Sequence, residues 1–343
     1  MELQTGPSSR TTMRDVAERA QVSLKTVSRV INGEPGVASA TAARVTESIA
    51  ELGFRRNDLA RSLRQGSTSA TLGLVIEDVA NPFYSAVAQA VESAARERGY
   101  LLITGSCEED PDRERELIEA LMGRRVDALL LVPAGRERDH QWLEREVLET
   151  TPVVFLDRPP HRIEADTVLL DNAGGARKAV EHLLASGHRR IAYVGDVPDL
   201  FTAGERLAGY RAALTEAGVE ADPRLIFQDA PSGTSAPVDA LLQLPADARP
   251  TAIFTGNNRH TVGAVRALRG REHEVALVGF DDFELAELLA MPTTVVRHDS
   301  FRMGAEAAAL AFARLDGSTA PPQRLVLDTE LVARGSGEVP PSS

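Results

Sequence analysis

The chain has 343 residues, 43% hydrophobic and 26% charged, which is the composition of an ordinary globular protein too long for one compact domain. It contains no run of eighteen apolar residues, no signal-peptide core in its first thirty residues and one cysteine, Cys107. These features argue against a membrane span, an exported chain, an intrachain disulfide and a thiolate metal cage, and point to a cytoplasmic protein. The net charge of −12 is unevenly spread: residues 1–70 carry ten Lys/Arg against seven Asp/Glu, and the rest carries a balance of −15. A small basic head on an acidic body suits a DNA reader, because the head offers phosphate contacts while the body avoids non-specific attachment.

Residues 1–11 are polar and read as a disordered tail. From Met13 to Asn32 the apolar positions Val16, Ala17, Ala20, Val22, Val27, Val30 and Ile31 recur at three- and four-residue steps and restart across a break at Ser23. This spacing gives two short amphipathic helices, with the Ser23 hydroxyl capping the second by accepting from the backbone N–H of Lys25 or Thr26. Leu24, Lys25, Ser28 and Arg29 then lie on the outer face of the second helix. From spacing alone, a helix-turn-helix and an ordinary helical hairpin with a solvated face both remain open. Asn32–Gly36 is a loop by composition, followed by a third helix over 39–52 with Ala43, Val45, Ile49 and Leu52 as its buried stripe and Gly53 as its stop. The basic stretch 55–66 can form one short helix, and Gly66–Ser69 reads as a linker.

From Thr71 onward, short β-branched runs alternate with helical segments. The runs are 72–76, 101–104, 128–132, 153–156, 168–170, 191–194, 252–255, 275–278 and 294–297. Near-continuous apolar strands joined by helices predict parallel sheets covered on both faces, and there are too many for one six-stranded sheet. We read two doubly wound lobes, whose ligand would lie in the cleft beyond the carboxyl ends of the strands. Asn81 and Tyr84, just after the first strand, are candidates to face that cleft. Residues 337–343 read as a disordered end. Cys107 reads as a partly buried residue near a strand end, and His182 and His188 read as caps at a helix end.

The segments DVAERAQVSLKTVSRVIN, RNDLARSLR, IEDVANPFYS, FLDR, HLLASGHRRIAYVGD, ERLAGY, FTGNN, LVGFDD, MPTTVV and LVARGS occur in this order. Together they make residues 12–336 resemble the LacI/GalR family of transcriptional regulators. The resemblance implies a small all-α helix-turn-helix head and an α/β body of two periplasmic-binding-protein-like lobes. It divides the chain into a DNA-binding domain over 12–56, a hinge helix and linker over 57–70, and a body over 71–336. The N-lobe would comprise 71–166 and 298–323, and the C-lobe 167–297 and 324–336. It also implies a homodimer, most simply a repressor, on a pseudo-palindromic operator in the nucleoid. A small effector, a sugar or sugar derivative, would switch it, with no cofactor.

By motif position, Leu24, Lys25 and Arg29 would read bases. Lys or Arg can contact guanine O6 and N7, and Leu24 can offer apolar contact to a thymine methyl. Thr26, Ser28, Asn32 and Thr41 would hold phosphates. The hinge helix runs from Asn57, and its Leu63 would wedge into the central minor-groove step. Asp157, Arg206, Asn257 and Asp281, with Asn81 and Tyr84, would bind the effector. Arg206 can donate two parallel bonds to ligand oxygens, whereas Asp157 could equally be a turn or cap carboxylate.

The chain departs from the family pattern at several points. Gln21 replaces the usual turn glycine, Ala38 a capping serine, Ala42 an arginine, Arg56 a proline and Asn258 an aspartate. The one tryptophan, Trp142, lies in a peripheral helix, so a stacking ring must come from Tyr84, a Phe or nowhere. A solute-binding protein would carry an export signal and lack the basic head. An enzyme reading finds no phosphate-binding glycine motif, no catalytic triad and no metal-ligand cluster.

Overall fold

The computed structural model describes residues 11–31, 33–54, 69–135, 140–228 and 233–341. The chain forms two compact units, Met1–Thr68 and Ser69–Ser343. Asn32 and the hinge segment with Asn57 and Leu63 lie outside the described residues.

The first unit packs three helices, α1 (Met13–Ala20), α2 (Leu24–Ile31) and α3 (Ser39–Glu51). Thr12 and Asp15 form a reciprocal capping box at the start of α1. Ser23 Oγ accepts from Thr26 N at 3.1 Å, as expected for the cap of α2. Val16, Ala17, Ala20, Val27 and Val45 form the small core. Ala43 faces solvent, and the polar Ser48 is buried instead, its hydroxyl satisfied by Arg44 O at 2.9 Å. The turn between α1 and α2 puts Gln21 at φ +53°, the left-handed conformation that a glycine would adopt without a Cβ clash. Ala38 stands at the N-cap of α3 with no side chain to hold the exposed N–H groups.

The second unit holds two six-stranded sheets. The first has the order β11-β5-β4-β3-β1-β2. It comprises β1 (Thr71–Ile76), β2 (Leu101–Ser106), β3 (Ala128–Leu131), β4 (Val153–Leu156), β5 (Asp166–Leu170) and β11 (Arg324–Leu327), all parallel. The second has the order β12-β10-β9-β8-β6-β7. Its strands are β6 (Ile191–Val194), β7 (Ile226–Phe227), β8 (Ala252–Thr255), β9 (Ala276–Phe280), β10 (Thr294–Arg297) and β12 (Glu330–Val332), with only β12 antiparallel. The central strands are buried along their whole length, as a sheet covered on both faces requires.

Helices complete each lobe. The first has α4 (Pro82–Glu97) and α5 (Pro111–Gly123); the second has α6 (Asn172–Ala185), α7 (Phe201–Glu216), α8 (Ala236–Leu242) and α9 (Asn258–Ala267). Helix α10 (Ser300–Leu315) returns to the first lobe, where it shares a core with α4 and the β1 side of the sheet. Gly304 lies where α10 crosses α4 and Gly209 where α7 crosses α6; a Cβ at either would collide with the carbonyl of Val87 or Ala173.

The lobe boundaries fall later than expected. The first sheet includes Thr167–Leu170 and Arg324–Leu327, which were expected in the C-lobe. The register pairs Phe155 with Thr167 and Val168 with Leu325. The chain therefore crosses between lobes after β5, after β10 and between β11 and β12. The C-terminal end is also ordered through Pro341, contrary to a disordered 337–343. Its backbone is tied down: Ser336 Oγ donates to Leu277 O at 2.5 Å, and Val339 O is bonded to His188 Nε2 at 2.8 Å. His188 is thus a buried fastener between this segment and Thr251 rather than a helix cap. His182 pairs with Glu338 of the same segment. Cys107 is wholly buried, its Sγ donates to Ile76 O, and burial pushes its thiol up to about 12. Trp142 packs at the edge of the first lobe with the Arg115 guanidinium 4.7 Å above its ring.

Candidate DNA interface and effector cleft

In the first unit, α2 carries the candidate base readers. Leu24 is 49% exposed, a large apolar side chain left in solvent, and Lys25 beside it is exposed. Thr26 bonds to Ser23 through its hydroxyl, and Thr41 opens α3, half-buried. Arg29 is folded back on the following loop: Nη2 donates to Pro35 O at 2.6 Å, and Nε lies 3.7 Å from Glu34 Oε2. It would have to leave both to reach a base.

In the second unit, residues that immediately follow the strands converge. After β1 come Glu77, Asp78 and Asn81; after β4, Asp157; after β5, Asn172; after β6, Asp196; after β8, Asn257 and Asn258; after β9, Asp281; after β10, His298. This is where a doubly wound sheet leaves backbone ends and room for a ligand.

Arg206, on the first turns of α7, organises the centre. Nε donates to Asn172 Oδ1 at 2.8 Å and Nη1 to Gly256 O at 2.6 Å. Nη2 lies 3.7 Å from Asp281 Oδ1, and the guanidinium stacks 3.8 Å above the Phe280 ring. Asp281 also pairs with His298 Nε2 at 2.8 Å. Burial alone would raise the Asp281 carboxyl, but Arg206 and His298 outweigh it and hold it below its ordinary value. Asp157 shows the opposite balance: burial pushes its carboxyl up, against Arg158 and Arg206. It accepts from the Tyr84 hydroxyl at 3.2 Å, and burial raises the Tyr84 phenol. Both carboxylates sit at left-handed backbone, φ +63° at Asp157 and +67° at Asp281. Two such residues cost about 1–3 kcal/mol each, and strain of this kind concentrates at binding sites.

The structure brings Asn81, Tyr84, Asp157, Arg206 and Asp281 together but not Asn257. Asn257 caps α9, Oδ1 accepting from His260 N at 2.8 Å, while Nδ2 donates to Asp196 at 2.7 Å. The amide turned inward is that of Asn258, which is 4% exposed. Its Nδ2 donates to Asn81 Oδ1 at 3.0 Å, across the lobes, and its Oδ1 is buried with no hydrogen-bond partner. Arg259 bonds Asp78 beside this link. Asn172, His298, Phe83 and Phe280 also belong to the cluster; Phe83 packs edge-on to Tyr84 at 4.7 Å and to His298 at 5.3 Å. The rule that selected Asn81, position just after a strand, would also have found Asn172 and His298. Phe83 and Phe280 supply the rings that Trp142 does not. Among the described residues no cluster of His, Cys, Asp and Glu could hold a metal ion, and no helix is long and apolar enough to cross a membrane.

Residues 12–57 match the model of bacterial regulatory proteins of the lacI family, and residues 180–337 match a periplasmic binding protein-like domain. The ribose operon repressor of Escherichia coli K12 is 36% identical over 334 residues, 95% of this chain and 99% of that protein. A solved complex of the transcriptional regulator CelR with cellobiose is 34% identical, with a TM-score of 0.69 over 95% of this chain and all of that one. The Lac repressor dimer bound to operator and an anti-inducer shares the fold, with a TM-score of 0.80 at 24% identity over 96% and 99% of the two chains. An N-terminal DNA-binding domain on a two-lobed body, matched at this identity over nearly the whole chain, places the protein: it belongs to the LacI family of transcriptional regulators.

Proposed function

We propose that the protein is a homodimeric repressor whose grip on a pseudo-palindromic operator is switched by a sugar in the cleft between its lobes. The observation that carries the DNA half is α2, which holds Leu24 and Lys25 out of the core on a capped helix. Lys25 reads a guanine, Leu24 touches a thymine methyl, and Arg29 joins them after leaving Glu34 and Pro35. Thr26, Ser28, Asn32 and Thr41 hold phosphates, and Leu63 of the hinge segment enters the minor groove. One head binds weakly, so specificity requires two in register. Such a protein works in the cytoplasm, on the nucleoid.

The effector half rests on the Arg206 cluster. A planar guanidinium over an aromatic face offers donors, and the Asp281 carboxylate beside it offers acceptors, to the hydroxyls of a sugar. Asn258 Oδ1 adds an acceptor, and Asn81 and Tyr84 close the cluster from the other lobe. A ligand touching both lobes favours their closed arrangement and so biases the heads, by differential affinity for two states. The named relatives act in the same direction: one represses a ribose operon, another is solved with cellobiose.

The test is operator selection from random DNA with the full-length protein, followed by gel shift. Lys25→Ala should lower affinity about tenfold, from a contact worth roughly 1–3 kcal/mol. A sugar should change affinity in the parent but not in Asp281→Ala. Failure to select any sequence would overturn the reading.

A further inference from the structure

A cavity of about 690 Å³ opens beside the polar cluster, between the loops after β3 and β4 and the start of α7. It is large enough to hold a ligand group of its own. Neighbouring residues of the same two segments divide between the two spaces: Asp157 and Arg206 belong to the cluster, while Arg158 and Glu205 line the cavity. A molecule seated on Arg206 would therefore have the cavity directly alongside.

The lining has the character of a carbohydrate subsite. Pro133, Pro159, Pro160 and Pro198, with Phe201, give rigid apolar faces. Two of the lining residues also carry polar atoms without protein partners: Arg158 Nε and His161 Nδ1 are buried and make no hydrogen bond. Arg158 is 7% exposed, and its Nε lies 3.7 Å from Asp157 Oδ2, too far to be satisfied there. Buried polar atoms of this kind cost free energy unless something occupies the space. Helix α7 starts at Phe201 beside this cavity, and its N-cap residue, Leu200, supplies no side-chain cap.

The electrostatics select a neutral group over a phosphate. The Arg158 guanidinium is neutralised by a bidentate pair with Glu109 at 2.5 and 2.8 Å. Asp199 and Glu205 add negative charge to the lining. A phosphate would need a surplus of cationic donors, whereas hydroxyls can donate to these carboxylates and accept from Arg158.

We infer that the effector is a glycoside of at least two rings, one ring on the Arg206–Asp281 cluster and the next in the cavity between Pro159 and Phe201. This rests on the carbohydrate reading of the cluster. Isothermal titration of the full-length protein with cellobiose, lactose, maltose and trehalose, their component monosaccharides and ribose tests it. One disaccharide should bind at least tenfold more tightly than its better component. Phe201→Ala and Glu205→Ala should each remove about tenfold of the disaccharide affinity and leave monosaccharide affinity within twofold.

Ribose or another monosaccharide binding as tightly as every disaccharide would overturn the inference while leaving the carbohydrate reading intact. Equal weakening of mono- and disaccharide in both variants would overturn it too. If no sugar binds, the carbohydrate reading falls with it.

Discussion

Arg206→Met tests whether the buried cluster is an electrostatic unit. Methionine keeps the length and the apolar contact with Phe280 but removes the charge and the donors to Asn172 and Gly256 O. Asp281 is then left buried with His298 and the Asn258 N–H, at 3.4 Å, as its remaining partners. Breaking one side of a buried ion pair costs about 3–5 kcal/mol, because the surviving charge is uncompensated. In the parent, the folded-state pKa of Asp281 lies below its ordinary value, so its ionised form contributes stability at neutral pH that is lost as pH falls. In the variant the largest opposing charge is gone, so the folded-state pKa of Asp281 rises and that contribution shrinks where the carboxyl is ionised. Urea unfolding followed by far-UV circular dichroism should show a larger loss at pH 7.5 than at pH 5. Adding Asp281→Asn, which removes the orphaned charge and tolerates φ +67°, should recover about 2 kcal/mol at pH 7.5. A double variant no more stable than Arg206→Met alone, with the same loss at both pH values, would refute an ionic cluster.

Three further outcomes are expected. Gln21→Gly removes a left-handed non-glycine residue and should stabilise the head by about 1 kcal/mol, read as slower amide exchange in α1 and α2 of the full-length protein. Ala38→Ser supplies the missing cap of α3 and should add about 1 kcal/mol in the same measurement, with the protection centred on Ala40 and Thr41. Burial and the neighbouring Glu109 push Glu77 up to about 7, so the folded state binds a proton that the unfolded chain has released. Stability from this residue is present below about pH 4.5 and lost as pH rises through 7. Glu77→Gln should therefore gain more in thermal midpoint at pH 8 than at pH 5.5, and an equal shift at both would count against a buried carboxyl there.

The parts legible in the sequence are those where one physical signal dominates. The strands of both sheet centres are buried on both faces, so their apolar runs are unbroken; with the edge strand β2, which opens on the apolar run Leu101–Ile103, nine of the twelve strands in the described residues were readable. The three missed were Ile226–Phe227, two residues long, and the short edge strands Arg324–Leu327 and Glu330–Val332, most of whose residues lie outside the core. Missing β11 and β12 shifted the lobe boundaries, because β11 pairs with β5 and keeps the chain in the first lobe until it crosses to β12. The C-terminal segment failed for a related reason. Its Gly, Pro and Ser content reads as loose chain, but it is held by Ser336, Glu338 and the buried His188, which lie far apart in sequence.

The cleft was legible by position more than by side-chain identity. Every residue of the cluster other than Arg206, Phe83, Tyr84 and Phe280 follows the end of a strand within a few positions, which sequence can count. Sequence cannot decide which of two adjacent amides turns inward. The choice between Asn257 and Asn258 depends on α9: the first must cap it, with His260 N as donor, and so the second is delivered into the cleft. An aspartate at 258, the commoner family residue, could not donate to Asn81 Oδ1. Asn258 thus adds a second direct bond between the lobes to the one that Arg259 makes with Asp78. The same amide leaves Oδ1 buried and unpaired in the cluster, so one residue both links the lobes and holds an unsatisfied acceptor. On the proposed function, a ligand bonded to that oxygen would bear on the residue that joins the lobes, which would tie effector fit to lobe geometry.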